Sequence, residues 1–287
     1  MTDPRVPMTV AAVILTLLTL CSAPASAADP TSELVARGKY VFGAAGGCAC
    51  HTPPEALGLN AGGMKFELLF GVVYSRNITP DLETGIGRWT DAQVTNAIRR
   101  GERPDGSRLF PIHPYEYFAN IADDEVRALV AYLKIVRPIR SSVPARSLRI
   151  PTPTIRVGPA PKEAPRGGPE RGEYLAGGAA HCADCHTPRR FNGSQDAAKF
   201  LAGGPGPEGS LPANITPHLE TGIGRWTEAQ IARFLRTGVK PSGQEAFSLM
   251  RVVIKGTSAG YKDLTEADAA AIARYLKTVP AIENRVR

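Results

Sequence analysis

Several residue types are scarce in this 287-residue chain, and their scarcity limits the classes of protein to which it can belong. Five cysteines, four methionines and two tryptophans are present, and aromatic residues make up only 7%. The basic segments lack interleaved aromatic residues, so the sequence does not favour a nucleic-acid partner. Beyond residue 20, no apolar stretch approaches the length of a membrane span. The net charge of +7 would favour acidic partners or an anionic membrane surface.

The N-terminus is typical of a secretory signal. One positive charge, Arg5, precedes an apolar run from Met8 to Leu20, and Ala25-Ser26-Ala27 forms a small-x-small cleavage site. The sequence therefore predicts a signal peptide over residues 1–27, a mature start at Ala28 and a periplasmic location. An uncleaved N-terminal membrane anchor is the alternative, although the apolar run is short for a span.

The rest of the chain is an internal duplication. The segments Asn77–Gln93 and Asn214–Gln230 match at 15 of 17 positions, and the period is far longer than that of a solenoid repeat. We expect two homologous domains, residues 28–137 and residues 169–287, which we call the first and second repeats. Residues 138–168 between them are rich in proline and arginine, which predicts a semi-extended linker. This linker is either a solvated spacer or a strap along the domain surfaces.

Helical signals recur in both repeats. Capping-box spacing starts a helix at Thr90 and another at Thr227, and Gly101 and Gly238 are natural helix stops. The remaining predicted helices cover residues 32–45, 123–136, 169–180 and 265–278. No strand is predicted, so the expected fold class is all-α with long loops.

The second repeat contains Cys182-Ala183-Asp184-Cys185-His186, a C-x-x-C-H motif. This spacing is a c-type haem attachment signal: two thiols add to the vinyl groups of one porphyrin, and the adjacent histidine becomes an axial ligand of the iron. A zinc site and a redox dithiol are the alternatives. The first would need a further ligand nearby, and the second a strand–helix context.

The first repeat contains a shorter motif, Cys48-Ala49-Cys50-His51. Alignment of the repeats places the missing residue at Asp184, so Cys50 and His51 keep the relation of a thioether donor and an axial ligand. The spacing leaves open whether Cys48 forms a second thioether. The alternative is a degenerate repeat that has lost its haem.

A distal iron ligand is expected well downstream of each motif. Met250 follows His186 by 64 residues, and His113 follows His51 by 62 residues, which makes them the candidates. Met250 could instead be a core methionine and His113 a surface loop residue. His181 and His218 are expected to be ordinary surface residues, because the first repeat has no histidine at their positions.

At these residues the chain resembles the class I c-type cytochromes, and more closely the multihaem cytochrome c subunits of periplasmic alcohol, gluconate and molybdenum-containing aldehyde dehydrogenases. The Asn-Ile-Thr-Pro, Thr-Gly-Ile-Gly-x-Trp and Pro-Tyr segments carry this likeness together with C-x-x-C-H. In that family a methionine ligand typically precedes Pro-Tyr, where this chain has His113. The short first motif, this histidine, and the lack of a third haem motif and of a C-terminal membrane-binding segment depart from many relatives.

The resemblance implies two covalent haems, and a haem edge presents two propionates that need hydrogen-bond donors. Residues of the duplicated segments are the candidates for these contacts; they are Asn77, Thr79, Arg88, Trp89, Asn214, Thr216, Arg225 and Trp226. For the asparagines and threonines, a purely structural role is an equal alternative.

The function implied is electron transfer without catalysis, from a periplasmic dehydrogenase to an oxidase or another cytochrome, with peripheral membrane association as an option. A dihaem peroxidase and a haem-based sensor are the alternatives.

Overall fold

The computed structural model describes residue 1 and residues 30–53, 56–191, 193–206 and 209–286. Apart from Met1, the predicted signal peptide lies outside these residues. None of the helices described combines the length and the apolar character that crossing a bilayer requires. The helices are α1 (Pro30–Ala44), α2 (Asp91–Arg100), α3 (Tyr115–Phe118), α4 (Asp123–Ile135), α5 (Gly168–Gly177), α6 (Cys182–His186), α7 (Glu228–Thr237), α8 (Ser248–Lys255) and α9 (Glu266–Thr278). Short 3₁₀ turns include Gly46–His51, Ala197–Lys199 and Tyr261–Asp263.

The helix ends follow the sequence signals. Thr90 and Thr227 each form a complete capping box at the start of α2 and α7. Gly101 and Gly238 end these helices in the left-handed region, with φ of 64° and 74°. The predicted starts and ends of α2 and α7 are confirmed, because capping and termination are decided within four residues of each helix end. The mostly helical architecture is confirmed as well.

The expectation of no strands is wrong. Strands β1 (Lys65–Leu68) and β2 (Gly71–Tyr74) form an antiparallel hairpin, and β3 (Ser147–Leu148) adds to β2. The first strand alternates polar and apolar residues over only four positions, β2 does not alternate, and β3 has two residues, so the pattern is too short to identify a strand. The third strand also comes from the linker, far along the chain.

Each repeat is built around a crossing of its first and last helices. In the first repeat α1 packs on α4, and in the second α5 packs on α9. A Cβ atom at Gly38 would lie 1.9 Å from the carbonyl oxygen of Ala128, and one at Gly172 would lie 2.0 Å from that of Ala271. Glycine in the repeated Arg-Gly-x-Tyr segment therefore permits the close approach of these helices.

A polar network that includes equivalent tyrosines and carboxylates of the two repeats joins them, and we call it the interrepeat clasp. Tyr174 donates to Glu125 of the first repeat at 2.6 Å, and Tyr40 donates to Asp268 of the second at 2.5 Å. Arg171 donates to both carboxylates, at 3.1 Å to Glu125 and 2.8 Å to Asp268. Glu125 is only 1% exposed, so its charge is compensated within the protein.

The linker lies against the first repeat. Arg149 N–H donates to Phe70 O at 2.8 Å, extending the pairing of β3 with the hairpin. Further along, Ile155 N–H donates to the Tyr115 hydroxyl at 3.2 Å. These contacts favour a strap over a solvated spacer, because they give backbone groups of the linker fixed partners on the first repeat.

Candidate functional site

The C-x-x-C-H motif of the second repeat forms the short helix α6. Its cysteines are thiols rather than disulfides, as haem attachment requires. Burial raises the pKa of Cys182 and of Cys185 to about 12, and the Asp184 carboxylate adds to the effect at Cys185. Among the described residues, no group of three or more histidine, cysteine and acidic side chains is arranged to hold a metal ion, so the zinc alternative gains no support.

The shorter motif of the first repeat has a different backbone. It forms a kinked 3₁₀ turn in which Gly47 and Cys48 both have left-handed φ, 64° and 46°. The kink lies upstream of Cys50 and His51, which are consecutive in the sequence like Cys185 and His186. Cys48 is partly buried, whereas Cys50 is exposed. The two cysteines of this motif therefore occupy unlike environments.

The two motif histidines have matching hydrogen bonds. His51 Nδ1 lies 2.6 Å from Arg76 O, and His186 Nδ1 lies 2.7 Å from Ala213 O, at equivalent positions of the repeats. A carbonyl can only accept, so Nδ1 carries the proton and Nε2 keeps its lone pair. Burial lowers the pKa of both histidines, which favours the neutral form. Both rings thus have the tautomer and orientation that an iron ligand needs.

The proposed distal residues lie on separate elements. His113 is in the turn before α3, and its buried Nδ1 has no hydrogen-bond partner among the described residues. Burial, followed by the proximity of His51 and His181, lowers its pKa to about 3. Met250 lies on α8, partly buried against the core. A partly buried, neutral imidazole whose buried Nδ1 lacks a partner among the described residues is compatible with the predicted ligand role.

The predicted propionate contacts of the Asn-Ile-Thr-Pro segments do not match the geometry. Asn77 Nδ2 donates to Thr84 Oγ1 at 2.9 Å and to Ile139 O at 2.7 Å, and Thr79 Oγ1 lies 2.8 Å from Asn77 Oδ1. Both side chains are buried, at 3% and 0% exposure. Their donors are already used to fix the start of the linker, so we correct their assignment to a structural role.

The second repeat repeats this arrangement at its C-terminal tail. Asn214 Nδ2 donates to Ile282 O at 2.7 Å, and Thr216 Oγ1 lies 2.7 Å from Asn214 Oδ1. The same correction therefore applies to Asn214 and Thr216. His218 takes the place of Asp81 as the acceptor within the loop, receiving the Thr221 N–H at 3.2 Å, which makes it a structural residue as well.

The other predicted propionate contacts lie at the surface or the edge of the core. Arg88 and Arg225 are exposed, and Arg225 pairs with Glu220. Trp89 and Trp226 are partly buried against the core, and the Trp226 ring meets Phe234 edge-on at 5.5 Å. The assignment of Arg88, Trp89, Arg225 and Trp226 as propionate contacts stays a prediction.

The structure brings the two motifs together. The Cys50 sulfur is close enough to Cys185 to contribute to the rise of its pKa. The Phe118 ring lies between two histidine rings, with centroid distances of 5.6 Å to His113 and 5.3 Å to His181. The candidate centres of the two repeats therefore adjoin each other, with aromatic side chains at their boundary.

The expectation that His181 is an ordinary surface residue is wrong. It is partly buried at this boundary, and its φ of 35° is unusual for a residue with a side chain. Its counterpart in the first repeat is Gly47, which has the same left-handed conformation. The sequence signal that could have indicated a special position for His181 is a histidine where the other repeat has glycine.

The fold and the paired sites define the class of the protein as a c-type cytochrome. The chain is 36% identical to a dihaem cytochrome c-type protein of Cereibacter sphaeroides, over 86% of both chains. It is 34% identical to the cytochrome c subunit of a quinone-dependent alcohol dehydrogenase of Gluconobacter oxydans, over 94% of this chain and 60% of that protein. It is also 36% identical to the fructose dehydrogenase cytochrome subunit of Gluconobacter japonicus, over 90% of this chain and 54% of that subunit.

The chain therefore belongs to the family of dihaem cytochromes c and cytochrome c subunits of dehydrogenases. No protein-family model matches it. It spans about 60% of the length of the alcohol dehydrogenase subunit and 86% of that of the dihaem cytochrome.

Proposed function

We propose that this chain is an exported, periplasmic electron carrier with two covalent c-type haems, receiving electrons from a dehydrogenase. The observation that carries the proposal is the pair of motif histidines, His51 and His186, each fixed through Nδ1 to an equivalent backbone carbonyl beside cysteine thiols. A haem held there supplies reversible one-electron redox chemistry. The chain itself orients the ligands.

In this proposal the repeats, residues 28–137 and 169–287, are two cytochrome c domains, with residues 138–168 as a strap. His51 and His113 are the axial ligands in the first domain, and His186 and Met250 those in the second. Cys50, Cys182 and Cys185 provide thioethers, and Cys48 is the fourth candidate.

The role of electron carrier, rather than enzyme, rests on the relatives, which are cytochrome subunits of alcohol and fructose dehydrogenases and a dihaem cytochrome. These relatives give no support to the peroxidase alternative. The donor is then a dehydrogenase catalytic subunit, and an oxidase or another cytochrome is the acceptor.

Haem stoichiometry tests the proposal directly. A pyridine haemochrome assay should find two haems per chain in the wild type and one in His186→Ala. The matched control is His218→Asp, which installs the residue of the first repeat at a loop position and should leave two haems. One haem in the wild type would refute the two-haem proposal and indicate a degenerate first repeat.

The donor can be tested with the chain purified from its host together with bound proteins. Addition of an alcohol, fructose or gluconate should reduce the haems if a dehydrogenase is attached. Consumption of peroxide in place of substrate-dependent reduction would instead favour the peroxidase alternative.

A further inference from the structure

Three arginines from separate segments converge beside the first-repeat site, and we call them the arginine cluster. Arg76 follows β2, Arg103 lies in the turn after α2, and Arg146 lies in the linker. Arg76 Nη1 donates to Val143 O at 3.0 Å and to Pro144 O at 2.9 Å, which places it against the linker segment that contains Arg146.

The turn after α2 closes the cluster from the other side. Arg146 Nη1 donates to the carbonyl oxygen of Arg108. Arg108 in turn forms an antiparallel backbone bridge with Glu102 across this turn. Arg103 lies within the same turn, where its N–H donates to Ser107 O at 2.9 Å. The linker is thus clamped between Arg76 and the turn, and this brings the three guanidinium groups together.

The positive charges of the cluster are not matched by carboxylates. In the described part of the chain, none of the three arginines forms an ion pair. Burial and the neighbouring Arg76 and Arg146 lower the pKa of Arg103, and partial burial against the linker lowers that of Arg76, which is otherwise exposed. The nearby Asp105 is exposed and accepts from the Ser107 N–H, so it compensates Arg103 only weakly. Assembling like charges without a counterion costs free energy, which a bound anion would recover.

The cluster lies next to both proposed ligands of the first iron. The carbonyl oxygen of Arg76 accepts from His51 Nδ1 at 2.6 Å, and Arg103 is close enough to His113 to contribute to lowering its pKa. The second repeat differs, because it has Ala213 in place of Arg76 and Lys240 in place of Arg103. The Lys240 ammonium instead lies 5.3 Å from the centre of the Phe247 ring.

We infer that Arg76, Arg103 and Arg146 bind the two propionate carboxylates of the first haem, the role that Asn77 and Thr79 do not fill. This inference rests on the proposed function, because it requires a haem in the first repeat. Guanidinium groups suit the role, since they stay charged and match carboxylates with paired N–H donors. Positive charge close to an iron also favours the ferrous state, so the cluster raises the potential of the first haem and opposes the effect of His113.

The test is a redox titration of the full-length holoprotein with single substitutions. Arg103→Gln and Arg146→Gln should each lower the midpoint potential of the first haem and leave that of the second unchanged. Arg149→Gln is the matched control in the same linker, because the Arg149 guanidinium donates to Leu69 O, away from the cluster, and the residue is exposed. Lys240→Gln is the positional control in the second repeat. Neither control should move the first potential.

Two further measurements separate the possible failures. Arg103→Lys keeps the positive charge, so the midpoint potential of the first haem should stay close to that of the wild type. This variant also gives a result if Arg103→Gln does not fold. If both haems are present by haemochrome assay and neither glutamine variant shifts the first potential, the inference is wrong while the proposed function stands. Unchanged potentials, together with salt-sensitive loss of dehydrogenase binding, would assign the cluster to a carboxylate surface of the partner. A wild type without the first haem would refute the proposed function itself.

Discussion

We expect removal of the Tyr174 hydroxyl from the interrepeat clasp to lower the stability of the protein. It donates to Glu125 at 2.6 Å and accepts from the Ala122 N–H at 2.9 Å, and the carboxylate and Ala122 are both buried. Tyr174→Phe removes one oxygen and leaves the ring in place, so the substitution tests these two hydrogen bonds with little change in packing.

The magnitude follows from the two lost bonds. A hydrogen bond to a charged group contributes about 1.5–3 kcal/mol, and a buried donor left without a partner costs about 1–3 kcal/mol. Arg171 and Arg37, which lies on α1, still donate to Glu125 and limit the loss. We therefore expect Tyr174→Phe to lower the free energy of unfolding by about 3 kcal/mol, roughly a hundredfold in the folding equilibrium.

The duplication provides a matched control. Tyr40 is the counterpart of Tyr174, but the N–H of Thr265 lies 3.4 Å from its hydroxyl and is exposed, so water can replace this bond. Asp268 keeps two bonds from Arg171, at 3.0 and 2.8 Å, much as Glu125 keeps its bonds from Arg171 and Arg37, so the difference comes from the backbone N–H that each hydroxyl accepts. Tyr40→Phe should therefore cost only about 1 kcal/mol.

Guanidinium denaturation of the holoprotein, followed by circular dichroism, measures both variants. Covalent attachment would keep the haems on the chain during unfolding, so their loss should not complicate the comparison. Equal costs for the two substitutions, or a cost below about 0.5 kcal/mol for Tyr174→Phe, would contradict the proposed importance of the buried bonds.

Three other predictions follow from particular positions. Gly47→Ala should be strongly destabilising, because its Cβ would lie 1.9 Å from a carbonyl oxygen of the second repeat, whereas Gly243→Ala, also at positive φ but with no atom within 4 Å, should cost only about 1 kcal/mol in denaturation experiments. His113→Met should raise the lower midpoint potential in a redox titration, since a thioether favours ferrous iron; an unmoved wave would show that His113 is not a ligand. Burial would raise the pKa of Asp268, but its bonds from Arg171 and Tyr40 outweigh this and lower it, so its contribution to stability is present above pH 4 and is lost as the pH falls through the folded pKa. Asp268→Asn should therefore be less stable at neutral pH and lose less stability on acidification, as pH-dependent denaturation would show.

The repeated Arg-Gly-x-Tyr segment illustrates how far sequence analysis reaches. The duplication of this segment can be seen in the sequence, but the structural roles of its residues cannot. Gly38 and Gly172 permit the close helix crossings, whereas Tyr40 and Tyr174 reach across to the other repeat. Both explanations depend on residues distant in the chain, so no local pattern could have predicted them.

The Asn-Ile-Thr-Pro segments show a prediction that failed for a related reason. Asparagine and threonine are chemically suitable propionate donors, but Asn77 donates to Ile139 O in the linker and Asn214 donates to Ile282 O in the tail, besides a threonine of its own loop in each case. The sequence contains these residues without indicating that they meet. The side-chain donors of these residues are used in tertiary contacts, which composition and spacing do not predict.

What the sequence determined by itself is the chemistry governed by short-range geometry. Thioether attachment needs cysteines a few residues apart with an adjacent histidine, and helix caps need partners within one turn, so both are readable along the chain. The tertiary structure alone decided the third strand, the position of His181 beside Phe118, the clasp and the arginine cluster. Each of these depends on groups from distant segments, whose meeting is set by how the two repeats and the linker pack together.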